Sequence, residues 1–308
     1  MGFDTAYEAI AEDSGDLRWA FGTGFADPLA GVDQAIPDGV SGGDLGRYCL
    51  MLGDDALIMS HRLQQWLARA PELEEETALA NIALDLLGQA RLLLTRAGQA
   101  DGTGRDEDDL AFGRAEHEFA NVVLAEVTDA DFGALIARLL VFSTWRLALL
   151  DQVRLSRDPV LAAIAAKGVN EITYHRDYAA QWLLRLAGGT DFSRAAIVSG
   201  LAAMVPLTSE LFTPTPTELR LSAAGLAPSP DTLRPDVTAV LANVLQRAGL
   251  PWPSALGGGE PAGGEPGSRS LAEPVAVAGG RDGVHTPAMA EILAELQSVA
   301  RAYPGATW

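Results

Sequence analysis

The sequence predicts an all-α protein: a four-helix bundle followed by additional C-terminal helices. Apolar residues recur at helical spacing through four long stretches between residues 45 and 187. Helix-boundary chemistry separates them, at Pro71, Asp158-Pro159 and Gly188-Gly189. No stretch carries a convincing strand-type alternation, and no internal repeat stands out.

The first helix is expected from Leu45, because Leu45, Cys49, Leu52, Ala56, Met59, Leu63 and Trp66 alternate steps of four and three. Pro71 disfavours helix in the residue before it, which sets the expected end near Ala70. Glu72, Glu74, Glu75 and Glu76 then crowd the start of a second helix, where the dipole favours negative charge. From Thr77 to Leu94 only Asp85 and Arg91 are charged, so this helix is expected to be central and buried on most sides. After a polar break at 101–109 comes a shorter helical stretch at 110–126. The third long helix is expected over 131–155, with only Arg138 and Arg146 charged between Phe132 and Leu150. Asp158 and Pro159 are an N-cap and first-turn pair that opens the fourth helix, to about Leu186. The connection between the second and third helices is the longest of the three, which is the ferritin-like arrangement.

Residues 1–44 hold nine acidic residues and one basic one, and read as an acidic, weakly structured leader ahead of a helical domain at 45–308. Within that domain the core bundle is expected at 45–187 and the C-terminal part at 193–308. Shorter helices are expected near 193–212, 216–226 and 234–248. Residues 252–283 contain nine Gly and four Pro and read as a long loop. A last helix follows Thr286-Pro287, with Ala290, Leu293, Leu296 and Val299 or Ala300 on one face.

Composition narrows function. The formal net charge is −19, from 22 Lys+Arg against 41 Asp+Glu. Such a polyanion is a poor partner for nucleic acid or an anionic membrane. No run of about 18 apolar residues argues for a membrane span, and no secretory signal is visible. A single cysteine, Cys49, excludes an internal disulfide and a cysteine-based zinc site, and points to a reducing, cytoplasmic setting. Its place on the apolar seam of the first helix marks it as a core residue. No phosphate loop and no nucleophile elbow is present.

A ferritin-like bundle invites a test for a di-iron site, which takes a Glu from each of two helices and a Glu-x-x-His pair from each of the other two. The first helix offers Asp54 and Asp55, with His61 about two turns on. In the second, Asp85-Leu86-Leu87-Gly88 has glycine at the histidine position. The third has no carboxylate between Asp131 and Asp151. The fourth reads Glu171-Ile172-Thr173-Tyr174, with His175 one residue late. This set does not assemble the template, so no metal ligand, cofactor-binding or catalytic residue is expected. A mononuclear site on Glu171 and His175 lacks further ligands. Asp85 and Glu171 share helix faces with apolar residues and are expected to point inward. Lys167, the only lysine, stands one turn before Glu171, and Arg146 is an inward candidate on the third helix. Asp54, Asp85, Lys167, Glu171 and His175 are thus either the remnant of a metal site or an ordinary polar core that fixes register.

The segment Ala70-Pro71-Glu72-Leu73-Glu74, with Leu79-Ala80-Asn81-Ile82-Ala83-Leu84-Asp85-Leu86-Leu87-Gly88-Gln89-Ala90-Arg91, resembles the C subunits of the bacterial multicomponent phenylacetyl-CoA epoxidases. Leu52-Gly53-Asp54, Glu171-Ile172-Thr173-Tyr174-His175 and the tail from Val284-His285-Thr286 through Tyr303-Pro304-Gly305 to Trp308 share the resemblance, which spans about 45–308. It implies a structural, non-catalytic subunit with a ferritin-like fold and no metal of its own. That subunit pairs with a di-iron catalytic A subunit in a hetero-oligomer. A small B subunit and a reductase carrying flavin and iron–sulfur complete the system, which epoxidises the ring of phenylacetyl-CoA. The net charge of −19 places the anionic CoA on another subunit. Two rivals stand beside this: a ferritin-like oxidase or oxygenase with an unusual metal set, and a free-standing helical protein.

Overall fold

The structure is a computed structural model and describes residues 29–251, 279–304 and 306. Contacts divide the chain at Gly31 and Val32. Of the first unit, residues 29–31 form a turn, and the remainder of the expected leader through residue 28 lies outside the described residues. The second unit is all-α among the described residues.

Its elements are α1 (Gly42–Gln64), α2 (Leu73–Ala100), α3 (Glu107–Phe112), α4 (Val123–Glu126), α5 (Phe132–Val153), α6 (Pro159–Gly188), α7 (Asp191–Met204), α8 (Pro216–Ala223), α9 (Arg234–Arg247), α10 (Pro287–Leu296) and α11 (Ser298–Ala302). The four long helices α1, α2, α5 and α6 form a ferritin-like bundle, and the crossover from α2 to α5 is the long connection. Helix α1 lies along α2, and α5 along α6. The first pair is antiparallel: Gly46 faces Ala97 and Asp101 at one end, and the Ser60 hydroxyl donates to the Ala83 carbonyl (2.7 Å) towards the other. A β-carbon on Gly46 would lie 2.9 Å from Asp101 Cβ, so glycine permits this approach. Ser41, Asp131 and Asp158 cap α1, α5 and α6 by accepting from backbone amides in the first turn.

Three expectations change. Helix α1 stops at Gln64, six residues short of Ala70, because the chain tightens there. The Trp66 amide bonds the Leu63 carbonyl (2.9 Å), and its indole Nε1 donates to Asp129 (3.2 Å). The stretch 110–126 is not one helix. The Ala120 and Val122 amides donate to Asp54 and Asp55 (both 2.8 Å) instead of to helical carbonyls, which leaves only α3, a turn at Glu116–Glu118, and α4. Helix α2 is not the central helix. Its outward face leaves Leu73 at 72% and Leu84 at 62% exposure, while α5 is buried along most of its length.

Helices α2 and α5 are each long and apolar enough to cross a bilayer by length and composition. Here α5 is enclosed by α6, α7 and α9, and it carries two buried arginines. Residues 252–278 of the expected Gly/Pro-rich loop lie outside the described residues. Its last part, 279–283, is a glycine-rich turn pressed on the crossover. Gly283 has φ +77°, and a β-carbon there would meet the His117 carbonyl at 2.1 Å. On α10 the buried face is Met289, Ile292 and Leu293, whereas Ala290 and Val299 are exposed.

Candidate functional site

The polar residues singled out in the sequence do not form one cluster. Asp54 and Asp55, consecutive on α1 and both fully buried, face the crossover and the C-terminal segment. Arg114 grips Asp54 with two bonds (2.5 and 2.9 Å), lies over the Phe119 ring (3.9 Å), and also donates to the Leu110 carbonyl. Arg281 grips Asp55 in the same way (2.8 and 3.0 Å). Each carboxylate also accepts one backbone amide, so each is satisfied by a guanidinium and an N–H. Burial works to lower the Arg281 pKa, but the charge of Asp55 and its acidic neighbours raises it overall.

Glu171, on α6, pairs with Lys167 one turn earlier and accepts from Gln89 Nε2 (2.9 Å). The other end of that amide, Gln89 Oε1, accepts from Arg146 Nε (3.0 Å). Both remaining Arg146 nitrogens reach the Leu52 carbonyl on α1 (3.3 Å each). A single chain of hydrogen bonds therefore joins all four long helices. Burial lowers the Arg146 pKa to about 10, which leaves the guanidinium charged at neutral pH. Gly168 on α6 gives the Gln89 amide room, since a β-carbon there would lie 3.4 Å from its carboxamide carbon.

Asp85 and His175 meet separately, with His175 Nε2 and Asp85 Oδ2 3.0 Å apart. His175 is buried, but the Asp85 side chain is 37% exposed. The inward placement expected for Asp85 is therefore an edge placement, at the seam between α2 and α6.

Two further ion pairs clamp the bundle ends. Arg96 on α2 bonds the Asp158 cap of α6. Arg138 on α5 forks onto Asp129 (2.5 and 2.8 Å) and donates to the Ala125 carbonyl (3.3 Å). Sequence reasoning identified Arg146 but missed Gln89, Arg114 and Arg281 as partners. Arg146 was visible as a charge inside an apolar helix. Arg281 was not, because it sits in a Gly/Pro-rich stretch with no periodic signal.

These residues do not fit a di-metal centre. Asp54 and Glu171 are each held by a cation and a hydrogen-bond donor, and Asp85 pairs with His175 at the edge of the bundle. Where ligands of four helices would converge, a guanidinium and an amide meet. Among the described residues no three His, Cys, Asp or Glu side chains are grouped as a metal ion would need.

The family model for the phenylacetic acid catabolic protein matches residues 38–308. The chain is 39% identical over 264 residues to the C subunit of the 1,2-phenylacetyl-CoA epoxidase of Escherichia coli (strain K12), covering 86% of this chain and 99% of that one. With the bundle, the crossover and the matched span in agreement, this chain belongs to the phenylacetic acid catabolic protein family.

Proposed function

We propose that the chain is a non-catalytic structural subunit of a multicomponent phenylacetyl-CoA epoxidase in aerobic phenylacetate catabolism. It pairs with and supports a di-iron catalytic A subunit in a cytoplasmic hetero-oligomer. A small B subunit, and a reductase with flavin and iron–sulfur, complete the complex. Asp54, Asp85, Lys167, Glu171 and His175 then serve structure and not chemistry.

The observation that carries the proposal is the Arg146–Gln89–Glu171 chain through the bundle centre. It puts fixed hydrogen bonds and a permanent cation where an oxygen-activating site would need open carboxylates. Pairing is supported by α2. A helix this apolar is expected to be covered on most sides, yet its outward face exposes Leu73, Leu84 and Leu87. A second copy would bring another strongly acidic surface against the exposed Glu72 and Glu74, so a heterologous partner fits that face better.

Two measurements test the proposal. Iron analysis of the chain purified alone is expected to find no stoichiometric metal; a full complement with an oxo-bridged absorption band would favour the oxidase rival. Co-expression with the catalytic partner is expected to give a single complex by size and mass. Separate elution at micromolar concentration would refute pairing.

A further inference from the structure

After the Gly/Pro-rich stretch the chain re-enters the fold as a C-terminal segment, residues 279–304, docked over α1 and the crossover. Arg62 of α1 donates to the Ala288 carbonyl (2.7 Å), and Gln297 donates to the Ala111 and Arg114 carbonyls (3.1 and 2.9 Å). At its entrance stands His285, with a fully buried side chain against the fully buried Glu126 carboxylate.

The two ring nitrogens of His285 both face acceptors. Nδ1 lies 2.7 Å from Glu126 Oε2, and Nε2 lies 3.2 Å from the Phe119 carbonyl. Glu126 also accepts from Asn121 Nδ2 (2.8 Å) and from the Thr286 amide (2.6 Å), so it is used throughout as an acceptor. A neutral imidazole has one N–H and cannot satisfy two acceptors. The geometry calls for the imidazolium, which also balances a carboxylate that has no solvent.

We propose that His285 and Glu126 form a proton latch, holding residues 279–304 on the crossover while His285 is charged and loosening them as it loses its proton. Deprotonation would leave one ring nitrogen without a hydrogen and Glu126 as a buried anion without its cation. The neighbouring charges do not replace it. From the crossover, the negative charge of Glu116 also favours the charged ring. From α1, Arg62 is near Glu126 but is committed to the Glu126 and Ala288 backbone carbonyls. Within the segment Arg281 is committed to Asp55, while Glu291 is near Arg62 and Glu295 is near His61. Burial lowers the His61 pKa, so His61 supplies no compensating cation at neutral pH.

The direction of the effect follows from the pair. Burial works to lower the His285 pKa, but the Glu126 hydrogen bond and charge outweigh it and raise the value above the usual one. The latch therefore contributes fully below the ordinary imidazole pKa, about 6.5, and its contribution is lost as pH rises through the raised value.

The test uses the full chain. Nitrogen NMR of the histidine rings, from about pH 6 to pH 9, is expected to show both His285 nitrogens protonated at neutral pH. Hydrogen exchange, corrected for its intrinsic pH dependence, is expected to show opening of 279–304 rising by up to about tenfold per pH unit between the ordinary imidazole pKa and the raised His285 value, and levelling off above it. The bundle helices should not follow. In His285→Gln that pH dependence should vanish. A single-proton His285 tautomer at about pH 6, or the same exchange profile in wild type and His285→Gln, would overturn the latch. If His285→Gln does not fold, the wild-type ring titration still decides.

Discussion

Arg146 Nε donates to Gln89 Oε1 across 3.0 Å in the centre of the bundle, and both residues are buried. The bond links α5 to α2, and Gln89 passes the connection to Glu171 on α6. A guanidinium there is a fixed charge with geometric demands, so it sets helix register where apolar contacts alone would allow sliding.

Arg146→Ala is expected to cost about 3–5 kcal/mol, because it strands buried partners and leaves a void. Arg146→Met should cost less, since it strands the same partners but refills the volume. Urea unfolding of both variants checks this. Equal losses would mean that the hydrogen-bond chain, lost in both variants, dominates over packing.

Asp54→Ala is expected to be far more damaging than Asp85→Ala. The first leaves Arg114 buried without its carboxylate and frees the Ala120 amide, at a cost of about 3–5 kcal/mol. The second removes a partly exposed partner of His175, at about 1 kcal/mol or less. Exchange at amides 113–122 should rise in Asp54→Ala and not in Asp85→Ala.

Two glycines should respond in opposite directions. A β-carbon on Gly200 would sit 2.7 Å from Ala134 Cα and 2.9 Å from the Gly133 carbonyl, where α7 crosses α5. Gly200→Ala should destabilise by about 1–3 kcal/mol. Gly88 lies within α2 with nothing within 4 Å of an added β-carbon. Gly88→Ala should stabilise by about 0.4–1 kcal/mol, read as a rise in melting temperature.

Cys49 should behave as a packed side chain. Burial raises its thiol pKa, and no surface is exposed to a reagent. Labelling by a thiol-specific disulfide reagent should be negligible in the native protein at neutral and mildly alkaline pH, and fast in denaturant. Rapid native labelling would mean that α1 opens locally.

Leu84→Glu tests the exposed face of α2. In the isolated chain it should change stability by no more than about 0.5 kcal/mol, because Leu84 is 62% exposed. If that face meets the catalytic partner, association should weaken by at least about tenfold, since the substitution buries a charge in an apolar interface. Unchanged affinity would assign the contact to another face.

Local signals made the fold legible. The α6 cap at Asp158-Pro159, the apolar repeat of α1 and the long crossover follow from residues adjacent in sequence. The absence of a Glu-x-x-His pair was equally local, as was the inward Arg146. The partners were not. Arg114 and Arg281 lie 60 and 226 residues from Asp54 and Asp55, in segments without periodicity. The exposure of α2 was also hidden, because an apolar helix reads the same whether its own chain or another covers it.

The sequence by itself thus determined the four long helices, their order, and a core too poor in ligand-spaced carboxylates for the di-iron template. Spacing on one helix decides which side chains share a face, and that needs no tertiary information. Only the tertiary structure decided that Asp54 and Asp55 hold the crossover and the C-terminal segment, that Glu171 connects through Gln89 to Arg146, and that His285 meets Glu126 in the interior. Each of those pairings depends on which distant backbone the bundle brings within hydrogen-bond reach, and a buried charge is stable only where that approach supplies its partner.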